Sequence, residues 1–369
     1  MAPRRLELFA VQMRISVADY ASPNAFVSRI SSLFERVDAM RARDRRGDYR
    51  YPALVVFPED VGTFLFISPH YRFVRTAPTL EEALRRIALW KLPRVVWFRT
   101  IHRTTTLRSL FLMTARSTYE LYHRTFSHLA RRHQVTVVAG SLLVPDNQYG
   151  ATGTFRLIRS RAGVYNLSVT FDARGEVLHT TRKVNVLPGF EDMLGVDAAP
   201  VEEQKPFEVQ GTRIGNMLCV DGWTAGGGAE GATVGTRLVA AGAEILVQPS
   251  ATTLPWNASA GAARRGDDAG EEGGACGECC FTQRLLALMK EHPSVVFGVN
   301  PMLNGTFLDR RFEGRSTIIG RAPDGTPEVV CEATCYGDQP ESEQVLYHLA
   351  TLPPRSRLEP PGLPRARGR

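Results

Sequence analysis

Lysine is scarce in this chain: Lys91, Lys183, Lys205 and Lys290 are the only four in 369 residues. The formal net charge of +7 is therefore carried almost wholly by arginine. Long apolar runs are missing as well. None approaches the roughly 18 residues a membrane-spanning helix needs, which argues against an integral helical membrane protein. Six cysteines in so long a chain do not make a disulfide scaffold. A hydrophobic content of 43% excludes intrinsic disorder as a description of the whole. Residues Met1 to Met13 lack the apolar core and small-residue cleavage site of a signal peptide, and Leu6 to Met13 alternates like a strand. A soluble, cytoplasmic chain is the expectation.

The charge is unevenly placed. Residues 63–119 hold ten Lys/Arg against Glu81 and Glu82, a net of +8, and 352–369 hold five arginines against Glu359, a net of +4. The remainder carries −5, so nucleic acid is not an expected partner: no recognition module and no long basic face is present.

Strand-like and helical runs follow one another. After the first strand, Ser22-Pro23 opens a helix whose apolar positions Phe26, Ile30, Leu33, Phe34 and Val37 repeat at helical spacing. Ala53–Phe57 is a continuous apolar strand ending in Pro58-Glu59-Asp60, the kind of buried strand whose tip often holds a site. A helix over Thr118–His133 precedes the strand Val135–Gly140, and hairpin-like segments fill 155–183. Strands at 213–219, 244–248, 294–299 and 316–320, with helices at 235–242 and 281–291, complete a single α/β domain over residues 1–350. Residues 257–280 read as a Gly-rich loop and 351–369 as a disordered Pro/Arg-rich tail.

Three strand ends carry unusual residues: Glu59, Lys183 and Cys219. Each alone has an ordinary explanation, as a cap, a solvated strand end and a buried small residue. Together they would form a nucleophilic site. A thiol needs a base to become a thiolate, a cation favours that anion, and a tetrahedral oxyanion needs donors.

In this order the motifs resemble those of the nitrilase, or carbon–nitrogen hydrolase, superfamily. Phe57-Pro58-Glu59 matches its glutamate motif, Arg182-Lys183 with Leu187-Pro188 and Glu191 its lysine motif, and Ile214-Gly215 to Cys219-Val220-Asp221 its cysteine motif. Supporting landmarks are Val138-Ala139-Gly140-Ser141, Tyr165-Asn166, Gln248-Pro249-Ser250-Ala251 and Phe312-Glu313-Gly314-Arg315-Ser316. The resemblance spans Leu6 to about Gly320, interrupted at 63–119 and 257–280. It implies a four-layer α-β-β-α sandwich assembled at least as a dimer, needing no metal or organic cofactor. It further implies Cys219 as nucleophile, Glu59 as general base and then acid, and Lys183 with the Val220 N–H as oxyanion donors. Glu191 would position substrate and lysine, and the pocket would be shaped near Val220, Asp221 and Trp256. The substrate would be a small amide or nitrile, the Cys-Val-Asp context leaning towards amides, and transfer of the acyl group to an amine would use the same triad. Val184-Asn185 after the lysine and Val220 after the cysteine depart from the family's usual His and aromatic, which bears on substrate class.

Other features have two readings. Residues 83–119 carry eight Lys/Arg and no acid, interleaved with Trp90, Trp97, Phe98 and Phe111. They could be a peripheral membrane or anionic-partner patch, a lid over the pocket, or an added helical pair with solvated arginines. Cys276, Cys279 and Cys280, with Cys331 and Cys335, offer zinc-ligand spacing, but in a Gly-rich loop free thiols are the simpler state. Gly226-Gly227-Gly228 lacks the continuation of a phosphate-binding loop.

Overall fold

The computed structural model describes residues 3–145, 147–149, 155–157, 163–187, 191, 194–222, 233–256 and 278–353. Among the described residues the α-helices are α1 Pro23–Met40, α2 Tyr71–Val74, α3 Leu80–Trp90, α4 Leu92–His102, α5 Thr106–His133, α6 Val234–Ala240 and α7 Glu278–Glu291.

Two large sheets result from the alternating apolar strands. The first runs in the order Gln344–Leu352, Arg4–Gln12, Ala53–Val56, Thr136–Val138, Val164–Phe171 and Leu142–Pro145, with Val177–Arg182 also pairing on Val164–Phe171. The second runs Phe207–Val209, Thr212–Asn216, Ile245–Val247, Phe297–Asn300, Thr317–Arg321 and Pro327–Glu332. Because strand side chains alternate faces, each central strand serves two layers. Leu6, Leu8, Ala10, Leu54 and Val56 pack with Ile214, Ile245, Val247 and Val299 between the sheets. The alternate residues Phe9, Val11, Val55 and Phe57 pack outward on α1 and α5 through Phe26, Phe34, Tyr122 and Phe126. On the far side Met217 and Leu246 meet Leu238 of α6 and Leu285 and Met289 of α7. The layers are α-β-β-α, as expected.

Three boundaries differ from the sequence pattern. Helix α5 begins at Thr106, twelve residues before Thr118, because the Thr105 hydroxyl accepts from the Arg108 N–H and caps it. Its added turns bury Leu110, Phe111 and Ala115, apolar positions hidden among arginines in the sequence. Strands Pro327–Glu332 and Gln344–Leu352 lie beyond the last expected strand; both are only partly buried, so their alternation is weak. The strand to Leu352 also takes Thr351 and Leu352 out of the expected tail, whose remainder from 354 onward lies outside the described residues. So do Cys276, the side chains of Cys279 and Cys280, and Gly226 to Gly228. Among the described residues no group of three His, Cys, Asp or Glu could hold a metal, and no helix is long and apolar enough to cross a membrane.

Residues 63–119 form a 3-10 segment, Thr63–His70, then α2 to α4 and the first half of α5. Their aromatics divide. Phe64 stacks on Phe307 with ring centroids 4.0 Å apart and Phe66 meets Phe111 edge-on, whereas Trp90 and Trp97 stay exposed.

Candidate active site

The site lies where the ends of strands from both sheets converge. Glu59 follows Ala53–Val56 by three residues, and its loop is clamped on each side. Gly140, at φ +66°, lets the end of the neighbouring strand approach so closely that a Cβ there would sit 2.0 Å from the Pro58 carbonyl oxygen. Ser141 then accepts the Asp60 N–H on its hydroxyl and the Gly62 N–H on its carbonyl. This is the physical content of the Val-Ala-Gly-Ser landmark. Asp60 itself is held left-handed at φ 64°.

Lys183 follows the strand Val177–Arg182 and is tied by its N–H to the Asn166 carbonyl at 2.9 Å. Its ammonium lies 2.8 Å from Glu59 Oε1 and 2.8 Å from Glu191 Oε2, all three side chains almost wholly buried. Asn166 Nδ2 donates to both carboxylates at 2.9 Å, and Glu191 also accepts the Leu187 N–H at 2.8 Å. Asn166 thus bridges the two acids. Its neighbours marked the position as a landmark, but not the role: an amide two residues into a strand gives no sequence sign that its side chain turns towards two carboxylates.

Cys219 comes from the other sheet, opening the 3-10 turn Cys219–Gly222 after Thr212–Asn216. It is buried and left-handed, φ 49°, a conformation that costs a non-glycine residue energy and clusters at functional sites. The turn is fixed by Cys219 N–H donating to Pro249 O at 2.9 Å and Gln248 Nε2 donating to Cys219 O at 2.7 Å. The thiol rests 3.4 Å from the Ala251 carbonyl oxygen. A pocket opens over the ion-paired cluster, lined by Glu59, Asp60, Lys183, Leu187, Glu191, the Ala251–Leu254 segment and Phe312; Cys219 is not among its lining and adjoins it through Ala251, whose carbonyl its thiol approaches.

The remaining expected residues fall differently. Val220 is half-buried in the Cys219–Gly222 turn. Asp221 does not line the pocket; its carboxylate accepts the N–H groups of Val184 and Asn185 and the Asn185 amide, so it fixes the backbone just after Lys183. Trp256 is buried against Phe281 and Tyr336 in a small apolar cluster with Cys219 and Met302, and is not among the pocket's lining. Among the described residues, none of 63–119 is in the pocket's lining.

No family model matches the sequence, and no curated protein sequence matches it either. The structure does find relatives. A carbon–nitrogen hydrolase from Helicobacter pylori G27 superposes with a TM-score of 0.53 at 16% identity, over 94% of this chain and 88% of that one. Nit3 of Saccharomyces cerevisiae, a member of branch 10 of the nitrilase superfamily, gives 0.54 at 15% identity, over 94% and 90%. An amidase from Nesterenkonia sp. gives 0.53 at 14%, over 94% and 90%. The fold is that of the nitrilase-superfamily carbon–nitrogen hydrolases.

On this nitrilase-type scaffold, burial governs the electrostatics of the cluster. It pushes Glu59 up to about 8, against the pull of Lys183 and helped by Asp60 and Glu191. Asp60 and Asp221 are each pushed up to about 6 by the same desolvation. Burial alone would drive the Lys183 ammonium down, but Glu191 and Glu59 override it and hold it well above the ordinary lysine value. The Cys219 thiol is raised well above its ordinary value by burial and by Glu59, with Lys183 opposing. At rest the thiol therefore keeps its proton. A nucleophile in that state needs a base beside it, and a carboxyl near neutrality can both take a proton and return it.

Proposed function

We propose that the protein hydrolyses a small, non-peptide amide through a thioester on Cys219. The observation that supports this reading is the contact of Lys183 with Glu59 and Glu191, each at 2.8 Å, in the pocket lining, together with a buried, left-handed Cys219 from the other sheet whose charge would act on Lys183. In the forward step Glu59 takes the thiol proton as Sγ attacks the carbonyl carbon, and the carbonyl electron pair moves onto oxygen. The Lys183 ammonium and the Val220 N–H receive that oxyanion. Collapse breaks the carbon–nitrogen bond, and Glu59 passes its proton to the departing nitrogen, leaving the acyl group on Sγ. Water then enters, gives a proton to Glu59 and adds to the thioester. Collapse of this second intermediate frees the carboxylic acid and returns the proton to the thiol. Glu191 and Asn166 hold Lys183 and Glu59 in register throughout and take no proton. The solved relatives include an amidase, which agrees with an amide as substrate.

The test is an amide and nitrile panel assayed for ammonia release, with mass spectrometry of the stalled enzyme. Amide turnover with an acyl adduct on Cys219, lost in Cys219→Ala, is expected. Turnover that survives Cys219→Ala, or a panel in which only nitriles react, would overturn the assignment.

A further inference from the structure

The corner between α3 and α4 is the most apolar exposed surface of the described protein. Of nine large apolar side chains that are exposed, six fall within residues 89–101: Leu89, Trp90, Leu92, Val96, Trp97 and Ile101. Trp97 is 57% exposed. In α4 only Val95 is buried. A helix lying on a protein body normally turns polar residues outward, but α4 presents Leu92, Val96, Trp97 and Ile101 instead. Scattered exposed apolar residues need no explanation; this concentration in thirteen residues does.

The charge around it is of one sign. Lys91, Arg94, Arg99 and Arg103 flank the apolar side chains, and among the described residues none of them has a carboxylate within ion-pairing distance. Other arginines of the same segment do have one. Arg85 and Arg86 pair with Glu82, and Arg108 with Asp197. The unpaired cations act on a neighbour: burial, then Lys91, Arg94 and Arg72, push His70 down to about 4. Trp90 sits under the Lys91 ammonium, 3.6 Å from its ring centroid. Beside the apolar face, Val96, Arg99, Thr100, Arg103 and Thr104 line an open groove, two guanidinium groups and two hydroxyl-bearing residues together.

We propose that the α3–α4 corner is a peripheral membrane contact that docks on an anionic phospholipid surface. Apolar side chains including two tryptophans, ringed by unpaired cations, complement acyl chains beneath negatively charged headgroups. The Arg99–Arg103 groove gives a headgroup phosphate two guanidinium partners. The contact is separate from the catalytic pocket and does not depend on the reaction assigned to it.

The experiment is sedimentation of the full chain with vesicles of phosphatidylcholine alone and of phosphatidylcholine mixed in equal parts with phosphatidylglycerol. Binding to the anionic vesicles at low salt, reversed by added salt, is expected. The double variant Val96→Ser/Trp97→Ser should abolish it, and Arg99→Gln/Arg103→Gln should weaken it about thirtyfold, at about 1 kcal/mol for each cation. Thermal melting of each variant establishes that it is folded. Quenching of wild-type tryptophan fluorescence by brominated phosphatidylcholine in the anionic vesicles gives a reading that needs no variant. No sedimentation at low salt, binding unaffected by both double variants, or absent quenching would overturn the proposal. So would a wild-type dimer that binds no lipid and dissociates in Val96→Ser/Trp97→Ser, which would make a second copy the occupant.

Discussion

Replacing Lys183 with methionine keeps most of the side-chain volume while removing the ammonium that sits 2.8 Å from both Glu59 and Glu191. Breaking a buried ion pair by deleting one partner costs about 3–5 kcal/mol, because the abandoned charge cannot reach water. That sets the loss expected near neutrality. The pH dependence is the sharper signature. In the wild type burial lifts Glu59 to about 8, and Lys183 is what restrains it from going higher. Without the lysine, folded Glu59 keeps its proton above that pH, while the unfolded chain has released it. Stability then falls as pH rises, by about 1.4 kcal/mol per pH unit for one such group. The wild type flattens above about 8, where its Glu59 has ionised. The difference between the two proteins should therefore widen with pH from about 8 upward. Urea unfolding followed by circular dichroism, run at several pH values from about 7 to 9, measures this directly. A penalty below about 1 kcal/mol that stays constant over that range would refute the claim that Lys183 is enclosed by these carboxylates.

In the wild type, amide turnover should rise with pH through an apparent value of about 8, since Glu59 must be ionised to accept the thiol proton; a pH-rate profile of kcat/KM checks it. Asp60→Asn should move that profile to lower pH, because the Asp60 carboxylate is one of the groups holding Glu59 up. The same variant should be more stable than wild type above about pH 6: Asp60, raised to about 6 when folded, contributes stability at low pH that is lost as pH climbs through that value, and asparagine tolerates the left-handed backbone. Gly140→Ala should cost at least about 1–3 kcal/mol in thermal or urea unfolding and displace Glu59, because its methyl would sit 2.0 Å from the Pro58 oxygen; wild-type stability with normal turnover would contradict that packing.

How much of this was legible in the sequence depended on what kind of signal each residue leaves. Buried central strands such as Ala53–Val56 and Ile245–Val247 are continuous apolar runs, and their ends fell within a few residues of where they were expected. Glu59, Lys183 and Cys219 stand out as unusual residues at strand ends. Glu191 is pointed to only by the resemblance to the family's lysine motif, and the structure brings it into contact with Lys183. Asn166 and Asp221 illustrate the limit. Both are buried polar residues whose partners lie 25 or more positions away, at Glu191 and Glu59 for one and at Val184 and Asn185 for the other. Only the fold brings those partners within reach. The first turns of α5 are not legible because arginines at 108 and 116 disguise an apolar face, where Phe111 meets Phe66 of the 3-10 segment.

The pairing of Arg4–Gln12 with Gln344–Leu352 has a bearing on how the chain is made. The two strands match residue for residue, from Arg4 opposite Leu352 to Gln12 opposite Gln344, so a strand made early pairs on that flank with one made more than three hundred residues later. Until then Arg4–Gln12 offers an open backbone edge, and open edges recruit other chains. Its parallel partner Ala53–Val56 arrives early, but the side chain of Gln12 waits still longer for company: its amide donates to the carbonyls of Cys335 and Ser342, and its oxygen accepts the Ser316 N–H. Synthesis must run through more than three hundred further residues before Arg4–Gln12 is closed in on that flank. A ribosome pausing before residue 344 would leave both large sheets mostly made with the Arg4–Gln12 edge unprotected.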